Sequence, residues 1–251
     1  MFRLVFIVAL IAPTYGWHVA QPHENIVGGK DTEIEDHPYQ LSFQVNNTHM
    51  CGASLIRSNV AVTAAHCAKD VGDLKRFLSV RAGTSVLHKG GQVAKILEIC
   101  DHPKYDADTY DYDVSVLLLK RPLALGARVK IIRRQPVNKE VPTGAVATVT
   151  GWGRLKENGL HLAKLHEVQV PKISFSECAE FYCRHNKIVT ATMVCFGFIK
   201  GVKDACEGDS GGPLVIDGML VGVVSWGPGV YAKISHPEIN SHIIECLGKI
   251  P

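Results

Sequence analysis

After its first sixteen residues the chain is written in short apolar runs rich in β-branched residues, and this rhythm limits the folds open to it. Tyr39–Val45, Val93–Ile99, Val114–Leu119, Ala145–Thr150, Leu165–Val170 and Leu220–Trp226 each have the length of a strand, with clusters of Gly, Pro, Asn and Asp between them. Such runs bounded by turn residues read as strands of an all-β protein. Repeated along one chain, they close into barrels or pack as a sandwich. The charged segment from Arg128 to Val141 carries Pro136, is followed by Pro142, and marks a join between two halves. No internal repeat emerges. Only the tail, Glu238 to Leu247, has helical spacing, with Ile239, Ile243, Ile244 and Leu247 on one face.

The start of the chain sets the compartment. Met1-Phe2-Arg3 is a short basic end, and Leu4 to Ala12 is an apolar run too short to cross a bilayer. Thr14 and Gly16 are the small residues that signal peptidase accepts, so residues 1–16 read as a signal peptide cleaved after Gly16. The rest is expected to be secreted to the extracellular space, without a membrane partner. In that compartment the eight cysteines are candidates for four disulfides. They include no Cys-x-x-Cys pair, and the chain has no His-Glu-x-x-His, so no zinc site is expected. Asn46-Asn47-Thr48 is a sequon for N-glycosylation at Asn46. A formal charge of +3 without a Lys/Arg block excludes nucleic acid as the expected partner.

Three stretches carry chemistry. Asp204-Ala205-Cys206-Glu207-Gly208-Asp209-Ser210-Gly211-Gly212-Pro213 sets Ser210 among glycines and directly after an aspartate. A serine hydroxyl is a weak nucleophile until a base and an oxyanion site surround it. The glycines would let the main chain wrap a carbonyl and aim the N–H groups of Gly208 and Ser210 at it. By itself, the run also reads as a surface turn. Val62-Thr63-Ala64-Ala65-His66-Cys67 ends an apolar strand on His66, with small neighbours that leave the imidazole room. Asp113 abuts the apolar run Val114–Leu119, where a carboxylate is costly to bury unless paired. Asp106, Asp108 and Asp111 stand further out in a polar loop; Asp113 is the chosen acid and Asp111 the second choice. Ile26-Val27-Gly28-Gly29 is too apolar for an ordinary exposed tail.

His66, Asp113 and Ser210, in this order and these contexts, resemble the catalytic triad of the chymotrypsin/trypsin family of serine proteases. Thr63–Cys67 and Gly208–Pro213 are its most specific motifs, and Gly151-Trp152-Gly153 and Ser225-Trp226-Gly227 are further landmarks. The resemblance runs from Ile26 to the C-terminus. It implies a pair of six-stranded antiparallel β-barrels, over roughly 26–135 and 136–237, with the active site between them and a C-terminal helix. It implies a secreted endopeptidase without cofactor, acting as a monomer on protein or peptide substrates and meeting protein inhibitors. The alternative is a protease homologue with weak or lost turnover that acts by binding.

The resemblance also implies a zymogen. Residues 17–25 would be an activation peptide; cleavage after Asn25 would free the α-amino group of Ile26 to pair with Asp209. Ser42 and His49 match the positions that hold this aspartate in the inactive precursor. Asn25 departs from the usual Arg or Lys, as in mite trypsin-like allergens, so the expected activating protease is a different one. The segment Leu74 to Leu97, which corresponds to the family's calcium loop, has no Asp or Glu, and no calcium site is expected. Family pairing implies Cys51–Cys67 and Cys178–Cys195. Cys206 lacks its usual partner; the remaining cysteines are then assigned as Cys100–Cys246 and Cys183–Cys206. Asp204 matches the base of a pocket for Arg or Lys, with Glu207 at its mouth and Ser225, Trp226, Gly227 and Gly229 as its wall. Ala205 replaces a serine, and Gly227 runs straight into Pro228-Gly229, deleting a loop that normally carries a cysteine. If the Cys183 loop fills the gap, a basic preference survives, with Arg favoured over Lys. If the gap closes inward, Asp204 is walled off and the enzyme is weak, selective for small residues, or inactive. Weak cleavage after Arg is the expectation.

Overall fold

The computed structural model describes residues 29–153, 162–198 and 209–249. The chain enters through β1 (Lys30–Asp31), and the next six strands form a closed barrel. They are β2 (Gln40–Val45), β3 (Thr48–Arg57), β4 (Val60–Thr63), β5 (Leu78–Ala82), β6 (Gln92–Asp101) and β7 (Ser115–Leu119). Their order around the barrel is β2-β3-β4-β7-β6-β5, antiparallel throughout. Asn46 and Asn47 form the two-residue turn between β2 and β3, both at positive φ (48° and 64°). A type I′ hairpin requires that conformation, and Asn tolerates it. The sequon therefore lies on an exposed turn tip that selects Asn for its own reasons.

β6 alternates as a strand with one wet face should: Ala94 and Ile96 are buried, Val93, Lys95 and Leu97 exposed. In β7 all five residues are buried, because the C-terminal helix α3 (Pro237–Gly248) covers its outer side. Ile239, Ile243 and Cys246 of that helix join Leu117, Val116 and Val62 in one core. Between β4 and β5 lie a single helical turn, α1 (Ala65–Ala68), and a 3-10 segment, Lys69–Phe77.

The second half contains β8 (Arg133–Arg134), β9 (Val146–Gly151), β10 (His166–Pro171), β11 (Met193–Cys195), β12 (Pro213–Ile216), β13 (Met219–Trp226) and β14 (Val230–Lys233). Its sheet runs β1-β10-β9-β12-β13-β14-β11, with β8 parallel to β13. A bridge between Lys172 and Phe196 and the bond Ile173 N to Cys195 O (2.9 Å) join the two ends of β9–β14 into a six-strand ring. The expected two-barrel architecture is therefore present, with β1 and β8 added at the margins. β1 comes from the first half of the chain yet pairs with β10. Glu167 on β10 draws it there, taking Lys30 Nζ at 3.1 Å, Thr32 Oγ1 at 3.1 Å and His37 Nε2 at 2.6 Å. Burial alone would raise the Glu167 pKa; the donors from His37, Lys30 and Thr32 together outweigh it and hold the carboxyl below its ordinary value.

A helix absent from the sequence expectation, α2 (Phe175–Cys183), follows β10. Ser174 caps it by accepting from Glu177 N, and Glu177 answers the Ser174 N–H, a reciprocal capping box. Disulfides join Cys51 to Cys67, Cys178 to Cys195 and Cys100 to Cys246. Cys183, the expected partner of Cys206, is exposed and unbonded among the described residues. On α2 it is Tyr182, one residue earlier, that takes the inward direction. Cys206 lies outside the described residues.

Candidate active site

His66 sits in α1, a turn too short to be stable on its own, and two constraints hold it. One is the Cys51–Cys67 disulfide beside it, which ties the turn to β3. The other is Asp113. Its carboxylate, fully buried, accepts from the His66 backbone N–H (2.9 Å, Oδ1) and from His66 Nδ1 (2.8 Å, Oδ2). An ionised carboxylate can only accept, so Nδ1 donates and Nε2 of the neutral ring keeps its lone pair for another proton. Ser225 on β13 donates a third bond to Asp113, at 2.5 Å to Oδ2. The buried charge is thus met by three donors, which is what makes its burial tolerable. Asp111, the second choice, is otherwise employed: its Oδ1 accepts from Thr190 Oγ1 (2.7 Å), Thr192 Oγ1 and Tyr112 N (3.1 Å), bridging the two halves.

Ser210 arrives from the second half and is anchored to the first through the main chain. Gly52 N donates to Ser210 O at 2.7 Å, one residue from the disulfide that holds the His66 turn. The next residue, Gly211, has φ of 78°, and a Cβ there would lie 2.2 Å from Thr63 Oγ1 and 2.5 Å from Gly52 O. Thr63 is the residue before Ala64-Ala65-His66, so glycine at 211 lets the serine segment press directly on the histidine segment. On its other side Gly211 N donates to Val224 O (2.8 Å), next to Ser225. Short main-chain links therefore tie the segment that carries Ser210 to the segments that carry His66 and Ser225, the two partners of Asp113.

Asp209 is completely buried, with its carboxylate against Gly151 and Gly153. Gly153 N donates to Oδ1 at 2.8 Å, and a Cβ at Gly151 would fall 2.0 Å from the same oxygen. This explains Gly151-Trp152-Gly153 as a motif: the glycines make a cradle that any side chain would fill. Ser42 Oγ and His49 Nδ1 are hydrogen-bonded at 2.8 Å, and the His49 ring meets Trp152 edge-on at 5.8 Å. Asn25, Ile26, Asp204, Ala205, Glu207 and Gly208, the glycine expected to serve the oxyanion, lie outside the described residues.

The remaining residues expected to line the pocket are in the β13–β14 hairpin, where Gly227 and Gly229 both take positive φ. The Tyr182 hydroxyl donates to Pro228 O at 2.5 Å, its ring lies 4.8 Å from Trp226, and a Cβ on Gly227 would be 2.9 Å from that hydroxyl. The α2 end does close on the shortened hairpin, but through Tyr182 and not through Cys183. Nothing in the sequence singled out Tyr182 beyond its place next to Cys183. Tyr110 was also missed: its ring lies 5.6 Å from His66 and 6.4 Å from Trp226. With Asp108, Thr109, Asn186, Lys187, Ile188 and Trp226 it lines a hollow of about 130 Å³. His66 is also grouped with Cys51 and Cys67 within metal-ligand distance, but both sulfurs are in the disulfide and offer no thiolate.

A family model described as Trypsin matches residues 26–245. A trypsin from Simulium vittatum is 39% identical over 236 residues, covering 89% of this chain and 94% of that protein. A vitellin-degrading protease from Bombyx mori is 39% identical over 218 residues, covering 84% of this chain and 81% of that protein. Trypsin alpha of Drosophila melanogaster is 36% identical over 249 residues, covering 94% and 95%. This chain belongs to the trypsin family of serine endopeptidases.

Proposed function

We propose that the protein is a secreted zymogen whose mature form cleaves peptide bonds with Ser210 as nucleophile, His66 as general base and acid, and Asp113 as its orienting partner. The observation that carries this reading is the 2.8 Å pairing of His66 Nδ1 with a buried Asp113 that Ser225 also serves. That pairing fixes the tautomer, so His66 Nε2 is the atom left to take the Ser210 proton and return it to the leaving amine. The N–H groups of Gly208 and Ser210 stabilise the oxyanion, an effect of order 10²–10³ in rate per donor. Cleavage after Asn25 frees Ile26 to pair with Asp209, and the activating protease is one that accepts Asn. The enzyme works as a monomer on protein or peptide substrates, is open to protein inhibitors, and needs no metal. The preference is for Arg, more weakly for Lys, through Asp204 and Glu207. The hollow lined by Tyr110, Trp226 and Ile188 receives a neighbouring substrate side chain. Among the described residues no helix is long and apolar enough to cross a membrane.

The test is labelling by a fluorophosphonate before and after cleavage at Ile26, with Ser210→Ala as control. Labelling of the cleaved wild type alone is the expected result. No labelling under either condition would leave the binding-protein alternative standing.

A further inference from the structure

Asp113 is aimed by a turn that the sequence does not make easy. The preceding residue, Tyr112, has φ of 53°, as Tyr110 has φ of 59°. For a bulky residue this is an outlier conformation that persists only where surroundings impose it. Val114 N donates to Tyr112 O at 2.7 Å, closing a three-residue turn centred on Asp113. The direction of the Asp113 side chain therefore follows from how Tyr112 is held.

Tyr112 is held from several sides. Its ring stacks on His102 (4.6 Å between centroids, 20° between planes), and Lys104 Nζ lies 5.4 Å over it. Its hydroxyl donates to Glu238 Oε1 at 3.2 Å, and His236 meets its edge at 6.0 Å. His102 is in turn packed on His242 of α3 at 4.7 Å, and His242 Nε2 donates to Cys100 O at 3.0 Å, beside the Cys100–Cys246 disulfide. His102 N also donates to Val114 O at 3.1 Å, on the far side of the same turn. The charged groups around this stack are Lys104, Glu238, Glu245, Lys249 and Asp101. Burial, then His242, pushes His102 down to about 4, and burial lowers His242, so the stack is uncharged at neutral pH.

We infer that Tyr112 is a positioning residue for catalysis: its ring, clamped between His102 and the C-terminal helix, fixes the left-handed turn that aims Asp113 at His66. This rests on the triad reading above. The experiment uses the mature, activated protein with Tyr112→Gly and Tyr112→Phe. Glycine accepts the positive φ without strain, so Tyr112→Gly removes the ring and leaves the backbone conformation open to the fold. The readouts are the saturating rate and half-saturation concentration for inactivation by a fluorophosphonate, and the downfield NMR signal of the His66–Asp113 proton. Misplacing a reacting group by about an ångström costs about 100-fold in rate. Tyr112→Gly is therefore expected to slow the saturating rate about 10- to 100-fold, with half-saturation within about threefold, and to shift or lose the proton signal. Tyr112→Phe, which keeps the ring, restores both. If Tyr112→Gly fails to fold, His102→Gln removes the ring beneath and is expected to act in the same direction. A folded Tyr112→Gly or His102→Gln with the wild-type rate and proton signal overturns the inference. Asp113→Asn separates the two levels: its retaining the wild-type rate would sink the triad reading, while its collapse beside an unimpaired Tyr112→Gly would sink only this inference.

Discussion

Replacing both Cys100 and Cys246 by alanine is expected to cost the folded protein roughly 5 kcal/mol. The bond spans 146 residues, against 16 for Cys51–Cys67 and 17 for Cys178–Cys195. In the chain-entropy account a cross-link restricts the unfolded chain by an amount that grows with the logarithm of the loop, giving ~5 kcal/mol for the long loop and ~3 kcal/mol for each short one. Cys178–Cys195 lies inside the long loop and shortens it, but the logarithm reduces that correction to ~0.1 kcal/mol. The native state loses little to offset this, since α3 keeps Ile239 and Ile243 in the barrel core. For a protein of this size 1 kcal/mol is about 2–4 °C, so the midpoint should fall by about 10–20 °C. The assay is differential scanning calorimetry of the double variant and wild type at one scan rate, because many disulfide-bonded proteins unfold irreversibly on heating and their midpoints then depend on scan rate. A fall of less than about 3 °C would refute the loop-entropy reasoning and mean that packing of α3 alone pins the C-terminus.

Gly211→Ala is expected to abolish activity and lower stability by at least ~2 kcal/mol, because its Cβ meets Thr63 Oγ1 at 2.2 Å and a φ of 78° is strained for alanine; wild-type fluorophosphonate labelling of the variant would contradict this. Ser225→Ala removes one of three donors to a buried carboxylate and should cost about 1.5–3 kcal/mol, read from urea midpoints; a change below about 0.5 kcal/mol would show that water replaces the hydroxyl. Acid should destabilise the fold in a defined window. Unfolded imidazoles take a proton near 6.5, whereas folded His102 waits until about 4 and His242 is also lowered, so their stabilisation is full above 6.5, wanes as pH falls, and for His102 is gone by about 4. Glu167, held below its ordinary 4.5, adds a further loss as pH falls through its lowered folded value. Urea midpoints unchanged between about pH 7 and pH 4.5 would contradict the histidine assignment.

Strands were legible because burial on one or both faces writes itself into the sequence. Tyr39–Val45, Val93–Ile99 and Leu220–Trp226 were read, and Gln40–Val45, Gln92–Asp101 and Met219–Trp226 formed. The α2 helix escaped because only Cys178 and Tyr182 of its nine residues are buried, too few for an apolar stripe. Its one local signal was Ser174 three residues before Glu177, a capping box that needed no periodicity to be seen. Asp113 could be preferred over Asp111 because it abuts a buried run, a cost only a partner can offset. Tyr110 and Tyr182 could not be found that way. What matters about them is a ring beside His66 and a hydroxyl on Pro228, contacts made across 44 and 46 residues of sequence.

The site is divided between two bodies, so its geometry depends on how the barrels are joined. His66 and Asp113 belong to the first barrel, Ser210 and Ser225 to elements of the second. The joins are directional, and those of Thr150 and Ser225 are buried while those to Asp111 are partly so. Thr150 Oγ1 donates to Gln40 Oε1 at 2.6 Å, Gly52 N to Ser210 O at 2.7 Å, Ser225 to Asp113, and Thr190 and Thr192 to Asp111. Apolar packing alone would tolerate a slide between barrels, since it has no preferred direction. Hydrogen bonds between buried groups do not tolerate it, because each one broken leaves a desolvated donor or acceptor unpaired. Asp111 and Asp113 thus divide the work of one loop: the first fixes the loop to the second barrel, and the second serves His66 from a position that this attachment makes constant. The left-handed residues Tyr110 and Tyr112 on either side of Asp111 are what turn two carboxylates so close in sequence toward different partners.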